Sequence, residues 1–186
     1  THLEEPLRAG SSYSVLAWAP DPDPIRLRAA SRRYRRPLLP YTRLAVPDGT
    51  DLRSIAEPTH LSVPLWGRHR GVERARRRLI RSAYGRVLRL AERLTAGAES
   101  GYGAATRIAA HLRSSYAYDE SPPVRRLPLS SFLFRDRAGY CQQYSGAMAL
   151  MLRMVGVPAR VAVGFAPGTP TADGRGYEVT DLEAHS

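Results

Sequence analysis

The stretch from Gly139 to Phe165, GYCQQYSGAMALMLRMVGVPARVAVGF, carries the strongest structural signal in this chain. It holds Cys141, the one cysteine. An almost wholly apolar run follows, then Gly156, Pro158 and a β-branched segment. The pattern predicts a turn, a helix from about Cys141 to Val155, a stop at Gly156 and a strand over Arg160–Phe165. Tyr144, Met148, Met151 and Val155 share one helical face. Ala147, Leu150, Leu152 and Met154 make the other faces apolar too, so this helix is expected to be buried on most sides. Arg153 is its one late charge, suited to the negative end of the helix dipole.

Working upstream, YGAATRIAAHLRS at 102–114 predicts a second helix, with Ala105, Ile108, Ala109 and Leu112 on one face. Ser100 or Gly101 is its expected cap. Residues 71–96 read as one further helix, with a stripe of Val72, Leu79, Ile80, Ala83, Val87, Leu90, Ala91 and Leu94. Gly85 weakens that reading, since glycine costs roughly 1 kcal/mol against alanine inside a helix. Ser115–Asp119 looks extended. Residues 124–138 look irregular, anchored by Phe132, Leu133 and Phe134. Residues 1–70 read as an N-terminal strand, SSYSVLAWA at 11–19, plus a Pro- and Arg-rich connector. One helical turn is expected near Asp51 to Ala56. Downstream of Phe165, Pro167–Gly176 reads as a turn. Tyr177–Thr180 opens a second strand that ends at His185-Ser186 and pairs with the strand leaving the cysteine helix. Residues 71–186 therefore form the expected core domain, incomplete at its C-terminus, and residues 1–70 wrap or precede it.

Composition narrows the function. A chain of 186 residues with a 43% hydrophobic fraction can bury a real core. No run approaches the roughly 18 apolar residues of a spanning helix. The start, THLEEPLRAG, does not resemble a secretory leader. One cysteine excludes an internal disulfide. Net charge is +11, and all 28 basic residues are arginine. A solvated basic surface is the plain reading of that charge, with attraction to anionic lipid, acidic polymer or nucleic acid as the functional one. The arginine clusters at 32–36 and 74–81 lack stacking aromatics apart from Tyr34, so specific nucleic-acid binding is not expected. Cys-x-x-Cys, His-Glu-x-x-His and phosphate-loop patterns are all missing, so neither a metal nor a cofactor is called for.

A thiol on the first turn of a helix meets the positive end of the dipole and unpaired N–H groups, and both favour thiolate. Free cysteine is also a common inert core residue, so position alone leaves both readings open. A thiolate nucleophile needs a partner that holds and returns a proton. Of five histidines, His2 sits at the chain end, His60 and His69 in the connector, and His111 on an apolar helical face. His185 lies on the strand expected to return over the start of the cysteine helix, and is the best base candidate.

RAGYCQQYSGAMALMLRMVGVPARVAVGF, followed by DLEAHS at 181–186, resembles the transglutaminase-like cysteine-enzyme core. The resemblance rests on a Gly-x-Cys helix start, an Arg-x-x-Gly-hydrophobic-Pro-Ala-Arg turn, a Val-rich strand into Gly-aromatic, and a later histidine. LTAGAESGYGAATRIAAHLRSSYAYD and SSFLFRDRAGYC resemble the lead-in of bacterial, membrane-anchored members. The likeness covers roughly residues 90–186, with a weaker match from Tyr13 to Leu44. It implies an α+β, papain-like fold with the nucleophile helix packed on an antiparallel sheet. It implies a Cys-His-Asp triad in which Cys141 attacks a carboxamide or peptide carbonyl, His185 handles the proton and the Cys141 backbone N–H helps hold the oxyanion. A protein or peptide is the implied substrate, and an amine or water resolves the thioester. The implied setting is the outer face of a bacterial cell membrane, reached through segments outside this chain.

The family's aspartate belongs a dozen or more positions after His185, beyond the last residue here. Asp173 falls in the expected hairpin turn and Asp181 just before His185, so neither suits the role. Low activity is therefore expected of these 186 residues by themselves. Crosslinking or deamidation of glutamine leads the functional expectation. A protease of the same fold and an inactive protein-binding module are the alternatives.

Overall fold

The computed structural model describes residues 21–30, 34–47 and 57–186. The strand expected over 11–19 and the turn expected near Asp51 to Ala56 lie outside the described residues.

Six helices and eight short strands are formed among the described residues. A five-residue helix, α1 (Pro24–Arg28), precedes a 3-10 turn at Arg36–Thr42 and strand β1 (Arg43–Val46). Strand β2 (Thr59–Ser62) returns antiparallel on β1, with Leu44 opposite Leu61. The alternation of the hairpin turns Leu44, Val46, Leu61 and Val63 inward. They join the same apolar cluster as the three longest helices, so part of the Pro- and Arg-rich connector lies against the core.

The helix expected over 71–96 is two helices, α2 (Val72–Arg81) and α3 (Gly85–Thr95). The break has a local cause. Ser82 is extended, its buried hydroxyl donates to the Leu79 carbonyl at 2.7 Å, and the Tyr84 N–H donates back to that hydroxyl at 3.2 Å. This side chain competes with the backbone for helical partners. Gly85 makes the turn possible, because any Cβ there would collide with the Ile80 carbonyl. Ala83 N–H then donates to Pro47 at 3.4 Å, tying the corner to the end of β1.

Helix α4 (Gly101–Ser115) starts at Ser100, whose hydroxyl accepts from the Gly103 N–H at 3.1 Å. Strand β3 (Ala117–Tyr118) follows. The irregular stretch expected over 124–138 is partly ordered, as a one-turn helix α5 (Pro128–Ser131), a π turn at Phe132–Asp136 and strand β4 (Ala138–Gly139). Phe132 and Leu133 are fully buried, as their anchoring role requires.

Helix α6 (Cys141–Met154) packs against α3, α4, α5 and β1. Ala147, Ala149, Leu150, Met151, Leu152 and Met154 are buried, so the helix is covered on most sides. Gly156 ends it at φ +85, and its backbone lies so close to Pro64 and Trp66 that no side chain fits. Arg153 does more than face the dipole: it donates to Ala159 at 2.6 Å and to Arg43 at 3.2 Å, locking the Pro158-Ala-Arg turn and β1 onto the helix end.

The strand expected over Arg160–Phe165 is confined to β5 (Gly164–Phe165). Strands β6 (Thr169–Pro170) and β7 (Tyr177–Glu178) make a separate small hairpin. The antiparallel partner of β5 is β8 (Ala184–His185), reached through a 3-10 turn at Asp181–Glu183. The single hairpin expected from 160 to 185 is thus two nested ladders. The fold is α+β, with its antiparallel pairing in short ladders around a helical core.

Candidate active site

The start of α6 is held by a dense set of backbone and aromatic contacts. Strand β4 runs parallel to β3, with Ala117 opposite Ala138 and Tyr118 opposite Gly139. Ala117 N–H donates to Arg137 and Asp119 N–H to Gly139, both at 3.0 Å. Gly139 needs its bare backbone, since a Cβ would press on Phe132 and on the Gln143 side chain at 3.0–3.2 Å. Tyr140 precedes the helix in extended conformation, and its N–H donates to Gln143 Oε1 at 3.2 Å.

Cys141 is therefore the first residue of α6, half-buried and free of any disulfide. Its first-turn position gives it the positive end of a fourteen-residue helix. Tyr144, one turn beyond Tyr140, donates to the Tyr116 carbonyl at 2.8 Å. The Phe132 ring lies between Tyr116 and Tyr144, with centroids 4.8 and 5.0 Å away. Arg137, at φ +53, donates to Ser115 at 2.8 Å and sets its guanidinium 4.9 Å from the Tyr116 ring centre. The loop before the π turn is pinned by a bidentate pair, with Arg125 Nε and Nη2 donating to Asp136 at 3.1 and 2.8 Å. That hydrogen bonding holds the Asp136 carboxyl below the usual carboxylate range.

Sequence reasoning missed this pair and the Tyr144–Tyr116 bond. Both join residues far apart in the chain, and only the Tyr-rich SSYAYD run hinted at an aromatic support.

His185 lies on β8 opposite Gly164 and is exposed. The next residue, Ser186, brings its hydroxyl to 3.0 Å from that of Ser145. Ser145 is one turn after Cys141, so the two share a face of α6. Asp173 is in the turn between β6 and β7, where it accepts from Thr171 Oγ1 at 2.5 Å and from Arg175 N–H at 3.1 Å. Asp181 is in the 3-10 turn before β8. His111 lies against Tyr116, edge to face at 5.6 Å, with Nδ1 3.3 Å from the Ser115 hydroxyl. Burial first, then Arg137 and Arg93, push its pKa down and favour the neutral ring. His60 is on β2 and His69 in the loop before α2, both exposed; His2 is outside the described residues. Among the described residues, no three His, Cys, Asp or Glu side chains cluster as a metal site.

A family model described as the transglutaminase-like superfamily matches residues 88–186. The chain belongs to that superfamily. The matched segment begins inside α3 and includes Cys141 and His185. The chain is 39% identical over 72 residues to a protein-glutamine gamma-glutamyltransferase of Pseudomonas aeruginosa, covering 38% of this chain and 11% of that protein. It is 40% identical over 62 residues to the Bacillus subtilis protein YebA, described as uncharacterized, covering 31% of this chain and 8% of that one. The crystal structure of the periplasmic domain of TgpA from Pseudomonas aeruginosa superposes with a TM-score of 0.50 at 30% identity. That superposition covers 61% of this chain and 41% of the TgpA domain. The chain thus spans only a small part of its curated relatives' length, and under half of the solved domain. Bacterial transglutaminase-like proteins are its relatives, and among the described residues no helix is long and apolar enough to cross a membrane.

Proposed function

We propose that the chain is the nucleophile-bearing part of an enzyme that transfers the acyl group of protein glutamine carboxamides. In this reading Cys141 Sγ, as thiolate, attacks the carboxamide carbon. The oxyanion is held by backbone N–H groups at the start of α6, that of Cys141 among them. The C–N bond breaks, ammonia leaves with a proton from His185, and a thioester remains on Cys141. An amine, giving a crosslink, or water, giving glutamate, then attacks the thioester and frees the thiol.

One observation carries the reading. Ser186 meets Ser145, so the strand bearing His185 ends against the first turns of the helix that Cys141 begins. The Pseudomonas relative named for glutamyl transfer favours a glutamine carboxamide over a peptide bond as the acyl donor. The periplasmic origin of the TgpA domain supports a site outside the cytoplasm. Incorporation of a fluorescent amine into a glutamine-rich acceptor, run beside casein cleavage, tests the proposal with Cys141→Ala as control. Amine incorporation that Cys141→Ala abolishes is expected. Cysteine-dependent cleavage without incorporation would move the assignment to a protease. Absence of any cysteine-dependent signal, also in a chain extended by some forty residues, would favour a binding module.

A further inference from the structure

The far end of α6 borders a concavity that acyl transfer at Cys141 does not use. A cavity of about 290 Å³ lies between the 63–68 loop, α2, α3 and the last turn of α6. Thirteen residue steps separate Cys141 from Met154, about 20 Å of helix. The walls are apolar: Leu65, Trp66, Ala75, Leu79, Leu88 and Met154. The mouth is charged and carries Arg68 and the Arg76–Glu92 pair. Glu92 compensates Arg76, at 2.6 Å. Arg68 has no carboxylate partner among the described residues. Arg74, Arg77, Arg78 and Arg81 are exposed on the face of α2 turned away from the cavity and add to the positive field around this helix.

We propose that this cavity binds a single acyl chain ending in an anion, its tail against Leu79 and Leu88 and its head at Arg68. Size favours one chain, since the cavity is at the small end of the roughly 300–1,000 Å³ typical of ligand pockets. Polarity favours an acyl chain over a peptide. The Trp66 N–H already donates to Gly156 at 2.8 Å, Arg68 N–H to Leu65 at 2.9 Å, and Thr95 Oγ1 to Ala91 at 2.8 Å. A peptide backbone would find these three donors already engaged and the deep walls apolar, and would lose hydration there. An alkyl tail brings no polar group to satisfy, and its head stays at the mouth.

Calorimetric titration of the 186-residue chain with decanoate, decyl phosphate and decyltrimethylammonium, each below its micelle concentration, tests the assignment. Saturable one-to-one binding of the anions is expected, at least about tenfold tighter than of the cation, because a charged hydrogen bond forms only with the anions. Tighter binding of decyl phosphate assigns a phospholipid-like head, and tighter binding of decanoate a free fatty acid. Both support the site. Ala75→Phe fills the cavity and should weaken binding by at least about tenfold. Val72→Trp, at the more exposed first turn of α2, obstructs the mouth if Ala75→Phe does not fold. Arg68→Gln should remove most of the preference for anions. Equal affinity for the cation, or binding unchanged in the filled variants, would overturn the proposal. So would absence of saturable binding by all three probes.

Discussion

The two halves of the candidate active site are built in opposite ways. The cysteine half is carried by α6, which runs into the interior. Met151 is 0% exposed, and the start of α6 is braced by the Tyr140–Gln143 and Tyr144–Tyr116 bonds and the Phe132 ring. The histidine half, residues 160–186, is a surface ribbon. Val163 is 82% exposed and Leu182 89%, and β8 meets β5 through two residue pairs. The candidate nucleophile, Cys141, is therefore positioned by the core, while the candidate base, His185, is carried on a strand with little of its own to hold it. A site of this kind keeps its thiol geometry when the base strand moves, so catalysis should be easier to lose than the fold.

The sharpest break in that symmetry is kinetic. In a chain extended by some forty residues, Cys141→Ala and His185→Ala should each lower amine incorporation by at least about a thousandfold, as expected of groups that act as a unit. Neither should alter the melting temperature by more than about two degrees. A Cys141→Ala chain that unfolds would show that the thiol is a core residue instead. Next in size is packing. Met151→Ala should cost about 2–5 kcal/mol in denaturant unfolding, since it opens a cavity in the interior. Phe165→Ala, a larger deletion on the exposed ribbon, should cost within about 0.5 kcal/mol. Equal losses would erase the contrast between the halves.

A smaller effect concerns the support of α6. Tyr144→Phe removes the donor to the Tyr116 carbonyl and should cost about 1 kcal/mol, with thiol labelling of Cys141 read alongside. The smallest is pH-dependent. Asp136 has its pKa lowered in the fold by Arg125, so the pair stabilises the native state above the unfolded carboxylate value near about 4. That contribution falls away as pH drops through the lower folded value. Arg125→Gln should therefore be less stable than the parent at pH 7, with the difference closing in acid. A constant difference from pH 7 to pH 2 would assign Arg125 to packing alone.

Much of the cysteine half was legible before the fold was known. Helix α6, its apolar circumference, its stop at Gly156 and the Ser100 cap of α4 depend on neighbours within a few residues, and periodicity reports such neighbours directly. The histidine half was read in outline only. That His185 returns to the strand after α6 was expected, and the partner strand is β5 as foreseen. The intervening β6–β7 hairpin and the shortness of β5 were not, because two-residue ladders carry too little pattern to separate strand from turn. The break at Ser82–Tyr84 was signalled by Gly85 and set locally by the Ser82 hydroxyl, while the bond from Ala83 that ties the corner to Pro47 is distant in sequence.

By itself, then, the sequence determined the helix and the place of its thiol: a lone cysteine at the head of an apolar run with a glycine stop. Only the tertiary structure decided what surrounds it. The Arg125–Asp136 pair, the Tyr144–Tyr116 bond, the Gly164–His185 register and the Ser145–Ser186 contact all join residues 11 to 41 positions apart. Contacts at that range leave no periodic trace, because they form when separate elements settle on a common core rather than when one element winds or pleats.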